Sequence, residues 1–410
     1  MKKNLFYLFA LICSMSLFTA CSDDDDNSNW KQIPTEPIEG ADAVLTVNGE
    51  SATGSVKFTP QNATQGQVDF NNVFPGYATV TVSVTMEEQA DGSFEFSGEQ
   101  GLPKPPAMLA TKSTASTPAI LNVTVKGSIT LAGKVIVTAT SVLTETAMGG
   151  LSGTWNLLDK IDTDVYMSEI KASPFMLKWT AIDEEKMDGT SIARLGSVLV
   201  SHILVEVLNQ VTFNADGNIT AKFHSGLPFD AESAQTWIMG KLFSANISVS
   251  HNDWSNSPKN MAFWYVKDNQ LYIVPLISNI MQQVSGGTGT GDLDMAAIMQ
   301  LLSEWGIDIT KLDPSLIAQI TSWFSTGIPL SYQMTGTGLS VYVNKEMVEP
   351  FMSILFAALP ALQEQFDEMA ASNPLMGILP SMLGIEKLTD IETIWKENTN
   401  LFELGLEFAK

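Results

Sequence analysis

The sequence predicts a mainly β protein with α-helical insertions: an N-terminal all-β unit, sandwich or barrel, followed by an antiparallel β-barrel elaborated by helices. Three observations carry this prediction. Val alternates with Thr and Ser over Thr79–Met86, and Leu, Val and Ile recur at the same spacing from Leu121 to Val137, the period of half-buried strands. In the second half, aromatics flank short polar turns three times, the pattern of antiparallel hairpins. Between and after these hairpins the apolar spacing lengthens to that of helices. With 410 residues, 45% hydrophobic and 16% charged, the chain has room for two or three domains and is too apolar for disorder to dominate. Its formal net charge of -23 repels a phosphate backbone and excludes nucleic acid as the expected partner.

Residues 1–20 read as a secretory signal peptide: Lys2 and Lys3, then an apolar run from Leu5 to Phe18. The run is shorter than the roughly 20 residues a membrane span needs, and Phe351–Leu362, the longest other apolar run, also falls short. The segment Leu17-Phe18-Thr19-Ala20-Cys21 resembles the lipobox of bacterial lipoproteins, which implies that Cys21 becomes the lipid-bearing first residue of the mature chain. An ordinary signal peptide ending beside a chance cysteine is the alternative. Of the two cysteines, Cys13 leaves with the leader, so no internal disulfide or catalytic thiol is expected. Each buried acyl methylene contributes about 0.8 kcal/mol to anchoring.

Ser22-Asp23-Asp24-Asp25-Asp26 opens a tether over residues 21–40. The acidic run is similar to the export signal of Bacteroidota surface lipoproteins, which implies an outer-membrane location facing the exterior. Adjacent like charges also extend a tether by simple repulsion.

Residues 41–148 form the first β unit. Val44–Val47, Gly54–Thr59, Gln67–Phe70 and Thr79–Met86 are strands, and Ala90-Asp91-Gly92-Ser93 turns into a strand with Phe94 and Phe96 on one face. After a stretch rich in Pro, Ser and Thr, Leu121–Gly127, Ile129, Leu131, Val135 and Val137 continue the pattern.

Residues 149–410 form the second unit, entered through Gly149-Gly150. Its hairpins are Val205–Phe213 with Ile219–Phe223, Met261–Val266 with Gln270–Pro275, and Pro329–Met334 with Leu339–Val343. Ala245, Ile247 and Val249 alternate as a further strand, and Phe402, Leu404, Leu406 and Phe408 as a closing one. Met295, Ile298, Met299, Leu302 and Trp305 form a helical stripe. Asp313-Pro314 caps another helix, with Trp323 and Phe324 on its apolar face and Gly327 ending it. Met347–Phe366 is apolar over most of its girth, which predicts a helix buried against the barrel or in its mouth.

Gly153-Thr154-Trp155 resembles the opening signature of lipocalins and calycin-like barrels, and Gly54–Phe58 with Val123–Ile129 is similar to the calycin-like domain of Bacteroidota lipoproteins. The resemblance implies a calycin-like first domain, a lipocalin-like second barrel, and a binding role without catalysis.

No catalytic motif, phosphate loop or dinucleotide fingerprint is present, and no cofactor is expected. The glycines of Gly286–Gly291 lack the lysine a phosphate loop needs and read as a linker. The three histidines, His202, His224 and His251, lack metal-ligand spacing; His224 and His251 converge only if the fold folds them together, and no metal site is expected. Trp254, Trp264, Tyr265 and Tyr272 are candidate ligand contacts. Trp264 and Tyr265 are strand neighbours, so one is expected inside and one outside; an outward Trp264 makes a sugar platform with Trp254, an inward one makes core. Met347, Phe351, Met352 and Leu355 are the candidate lining for an apolar ligand, with core filling as the alternative.

The expectation is a surface-anchored binding protein, not an enzyme, holding an apolar small molecule between barrel and helices. The alternatives are a glycan-binding protein of a polysaccharide-uptake system and a structural or adhesive subunit.

Overall fold

The computed structural model describes residues 28–74, 76–104, 119–185, 188–230, 233–276, 280, 319, 322–323, 326–372 and 386–410. Nine strands form the first sheet: β1 (Ile38–Glu39), β2 (Ala43–Val47), β3 (Glu50–Ala52), β4 (Ser55–Asn62), β5 (Gln65–Asn71), β6 (Thr79–Glu88), β7 (Phe94–Leu102), β8 (Leu121–Ile129) and β9 (Val135–Leu143). Their order is β1-β4-β5-β6-β7-β8-β9-β2-β3. Every pairing is antiparallel except β2 with β9, which runs parallel from Ala43↔Val135 to Val47↔Ala139.

The alternation read from the sequence sets the faces. Val80, Val82, Val84 and Met86 of β6 point into the core while its Thr and Ser residues point out. Phe58 and Phe96 meet edge to face across the interior at 5.0 Å. All nine strands belong to one curled, open sheet whose edges are β1 and β3. The sheet curls where side chains are missing: a Cβ on Gly98 would lie 2.3 Å from Ser83 O, and one on Gly127 2.3 Å from Ile136 O.

The segment placed in the tether joins the fold earlier than the sequence implied. Ile33 and Ile38 are buried, Trp30 packs on the same core, and β1 pairs with β4. Burying these apolar side chains offsets the entropy of ordering the segment.

Helix α1 (Glu145–Met148) links the sheets. The Thr144 hydroxyl accepts its Ala147 N–H, and Gly149 ends it at φ 52. Twelve strands follow: β10 (Gly153–Leu157), β11 (Asp162–Thr163), β12 (Ile170–Ala172), β13 (Phe175–Ala181), β14 (Leu208–Phe213), β15 (Ile219–Phe223), β16 (Ser255–Asn256), β17 (Ala262–Lys267), β18 (Gln270–Pro275), β19 (Ile328–Thr335), β20 (Gly338–Asn344) and β21 (Thr399–Ala409).

The path β16-β15-β14-β10-β21-β20-β19-β18-β17 is an antiparallel meander in which the last strand, β21, joins β20 to both β10 and β13. The two ends approach each other. An Asn218↔Phe263 bridge and the Trp264 N–H on Gly217 O (2.8 Å) tie the β15 side to β17, curling the sheet nearly into a barrel. Trp155, Phe213, Trp264, Leu271, Leu339 and Phe408 fill it, and this core is continuous with that of the first sheet.

Helix α2 (Gly189–Val207) was not legible as a helix in the sequence, where Val205 read as strand. Asp188 caps it by accepting the Ser191 N–H at 2.8 Å. Ser197 and Ser201 accept the N–H groups of Leu177 and Phe175 at 3.0 and 3.1 Å, satisfying the open edge of β13. By length and composition α2 is apolar enough to cross a membrane, contrary to the expectation that no segment beyond the leader is. Its serines and its packing on β13 account for its place in this fold. Ala245, Ile247 and Val249 form no strand; they lie in an irregular connection after α3 (Ala234–Lys241).

Helices α4 (Lys345–Ser372) and α5 (Asp390–Asn398) complete the second unit. With β13 they enclose a satellite core of Trp179, Met352, Ile394, Trp395 and Phe402. The helix expected over Asp292–Trp305 lies outside the described residues. Of the next, Gly327 is described: it stands at φ 91 with its N–H on Trp323 O, the expected stop.

Candidate functional site

Cys21, Ser22, Asp23, Asp24, Asp25 and Asp26 lie outside the described residues, as do Met295 and Met299. The other candidates fall into two groups, linked through Thr326, whose carbonyl meets Tyr265, and Trp323, which stacks on Phe351.

The aromatic group sits on β17, β18 and the loop before β16. Trp264 points inward against Phe213 (5.1 Å), is fully buried, and donates its indole N–H to Asn214 O at 2.9 Å. Tyr265 takes the opposite face, as strand alternation requires, yet is also buried. It stacks on half-buried Tyr272 at 5.0 Å, and its hydroxyl donates to Thr326 O at 2.8 Å. Burial, then Tyr272, pushes the Tyr265 hydroxyl far above its ordinary range. One neighbour inside and one in solvent is therefore not what the fold does, because the outer face of β17 is covered as well. Trp264 is core and offers no sugar platform. Trp254 is half-buried and tilts against His251 at 4.6 Å.

The helical group sits on α4. Asn344 Oδ1 accepts the Met347 N–H at 3.1 Å, fixing the start of the helix. Met352 is buried in the satellite core with Val348 and Phe356 alongside, and Leu359 is buried too. Trp179, Trp395 and Phe402 meet edge to face there at 4.9–6.0 Å. The Trp395 indole N–H is held by Glu349 Oε2 at 2.7 Å. Met352 therefore fills a packed core rather than lining a pocket, its thioether adapting to the gap between indoles.

Phe351, Leu355 and Leu362 continue the apolar arc past that packed stripe. Phe351 stacks on Trp323 at 4.8 Å, and Leu355 and Leu362 are 39% and 41% exposed. Trp323 Nε1 is buried and has no hydrogen-bond partner among the described residues. A buried indole N–H without an acceptor costs about 1–3 kcal/mol, so this apolar surface carries one specific polar demand. Sequence spacing placed Trp323 on an apolar face but gave no sign that its donor would be orphaned.

A concavity lies on the outer face of the first sheet, over the bend at Gly98. It holds about 550 Å³ and is lined chiefly by Gln61, Gln65, Ser83, Thr85, Glu99 and Lys126. These are the outward members of the alternating strands, and the sequence pattern alone gave no reason to group them.

The fold also brings His224 and His251 together, with ring centroids 3.8 Å apart. No protein-family model, curated protein or solved structure matches this chain.

Proposed function

We propose that the chain is a lipid-anchored protein of the outer-membrane surface that binds an apolar small molecule without turning it over, and that the ligand seats on the Phe351–Leu355–Leu362 arc beside Trp323. One observation carries this reading: the buried Trp323 Nε1, without a hydrogen-bond partner among the described residues, on a ring that stacks on Phe351. A ligand with an apolar body and one acceptor oxygen, such as a fatty acid or an ester, satisfies that donor while covering Leu355 and Leu362. Burying the arc removes apolar surface from water at about 25 cal/mol per Å².

The test is native mass spectrometry and solvent extraction of the full chain purified from its host, then titration of a fluorescent fatty acid. A co-purifying apolar molecule whose binding weakens in Leu355→Glu supports the site. An empty chain that leaves the probe unquenched, or equal binding by Leu355→Glu, ends this reading.

The polar cleft over Gly98 favours a second reading, recognition of a glycan through hydrogen bonds from Gln, Ser and Thr. Binding on a sugar array that is lost in Gln65→Ala combined with Thr85→Ala would support it.

A further inference from the structure

We propose that His224, His251 and Asp253 form a binding site for a divalent transition-metal ion such as Zn²⁺. One ligand atom from each of the three lies within 4.8 Å of the other two. The site is independent of the surface on α4 and departs from the sequence expectation of no metal.

Long-range pairing builds it. Strand β15 pairs with β16 through Lys222↔Asn256 and Phe223↔Ser255. His224 is the residue just past β15, and His251 and Asp253 lie in the loop just before β16, so the register carries them to one end of the ribbon. The end of α2 fixes the loop: Glu206 Oε2 accepts both the N–H and the hydroxyl of Ser250 at 2.9 Å.

The hydrogen bonding of His251 prepares it as a ligand. Its Nε2 is 2.7 Å from the backbone carbonyl of Glu206, an acceptor only, so Nε2 carries the proton. In the neutral ring that leaves a lone pair on Nδ1. A backbone carbonyl holding the far ring N–H is the arrangement that orients metal-bound imidazoles.

Nδ1 itself is buried and makes no hydrogen bond, although Asp253 Oδ1 is 3.0 Å away. At that distance without a hydrogen bond, Oδ1 stands off the axis of the Nδ1 lone pair, so the lone pair has no donor and the carboxylate sits beside it. The same Oδ1 is 3.6 Å from His224 Nδ1, which rests 3.3 Å from the Asp253 backbone carbonyl, a contact that an ion would displace. In a tetrahedral zinc site with bonds of about 2.0–2.1 Å, neighbouring ligand atoms lie about 3.3 Å apart, which the two Oδ1 separations bracket.

The rings stand 28° from parallel, so their lone pairs converge on one ion after a turn about χ2, a broad torsion for histidine. Two imidazoles and a carboxylate select zinc-like ions over Ca²⁺ and Mg²⁺, which prefer all-oxygen sites. The exposed side of Asp253 provides the entry path, and water completes the coordination.

The experiment uses the full chain in detergent, stripped with chelator and titrated with Zn²⁺ by calorimetry and with Co²⁺ by visible absorption. One ion per chain is expected, with an intense four-coordinate Co²⁺ spectrum and no response to Ca²⁺. His251→Gln keeps a donor for Glu206 O but removes the Nδ1 lone pair, and Asp253→Asn alters an exposed residue. Both should weaken binding at least tenfold with unchanged circular dichroism, and bound Zn²⁺ should raise the melting temperature of the parent only. Absence of saturable Zn²⁺ binding overturns the proposal. Equal affinity in Asp253→Asn and His251→Gln overturns it too, by placing the ion elsewhere.

Discussion

Trp155 starts the second sheet, and its truncation tests whether the two units share one core. The side chain is 1% exposed, donates its indole N–H to Leu151 O at 2.7 Å, and carries the Lys410 ammonium 4.6 Å over its ring. A large aromatic buries about 150–250 Å². At about 25 cal/mol per Å² that corresponds to roughly 4–6 kcal/mol. Measured Trp→Ala costs of about 3–5 kcal/mol agree. Trp155→Phe keeps most of the area and loses mainly the hydrogen bond, which leaves Leu151 O unpaired and costs about 1–3 kcal/mol. Because Trp155 belongs to the same core as Val56 and Phe58 of the first sheet, the loss should appear in one cooperative transition. The assay is urea unfolding followed by both tryptophan fluorescence and far-ultraviolet circular dichroism. An unchanged midpoint in Trp155→Ala would remove the residue from the core. Two separated transitions, only one of them shifted, would refute the continuity of that core.

Three further outcomes are expected. Cys21→Ala should move the protein from the membrane to the soluble fraction with its circular dichroism intact; persistence in the membrane would overturn lipid anchoring. Ser201→Ala should cost about 1–3 kcal/mol by leaving the Phe175 N–H of β13 without its acceptor, and a melt superimposable on the parent would show that this edge is satisfied in another way. His202 is held below the ordinary imidazole range by burial, with Lys241 adding to the shift and the Ser244 carbonyl opposing it. The unfolded chain therefore takes up this proton first as pH falls. The contribution is fully present above about pH 6.5 and is lost below it. His202→Gln should flatten the fall in melting temperature over that window, and an unchanged slope would exclude His202 as its source.

The elements that the sequence made legible are those whose signal is local. Alternation in β6 and β9 reports a strand with one face on a core, whatever that core contains. The three hairpins follow from turn residues, and Gly327 stops a helix because φ 91 suits a residue without Cβ. Helix α2 was missed for a local reason as well. Val198, Val200, Val205 and Val207 carry strand propensity, while Ser197, Ser201 and Glu206 are polar on positions that the fold uses for capping a strand edge and a loop. Ala245, Ile247 and Val249 were misread in the same way: their alternation finds no strand partner, and pairing in this stretch comes only at Ser255–Asn256.

By itself, then, the sequence determined the β-rich class and the inward set of side chains, because period-two patterning needs no knowledge of neighbours. The tertiary structure decided everything that depends on what lies across a gap. It buried Tyr265 as well as Trp264, packed Met352 among indoles, orphaned the Trp323 donor, and set His224 on His251. Each of these rests on strand register or helix docking between residues distant in the chain, and the side chains that meet there carry no mark of one another in the sequence.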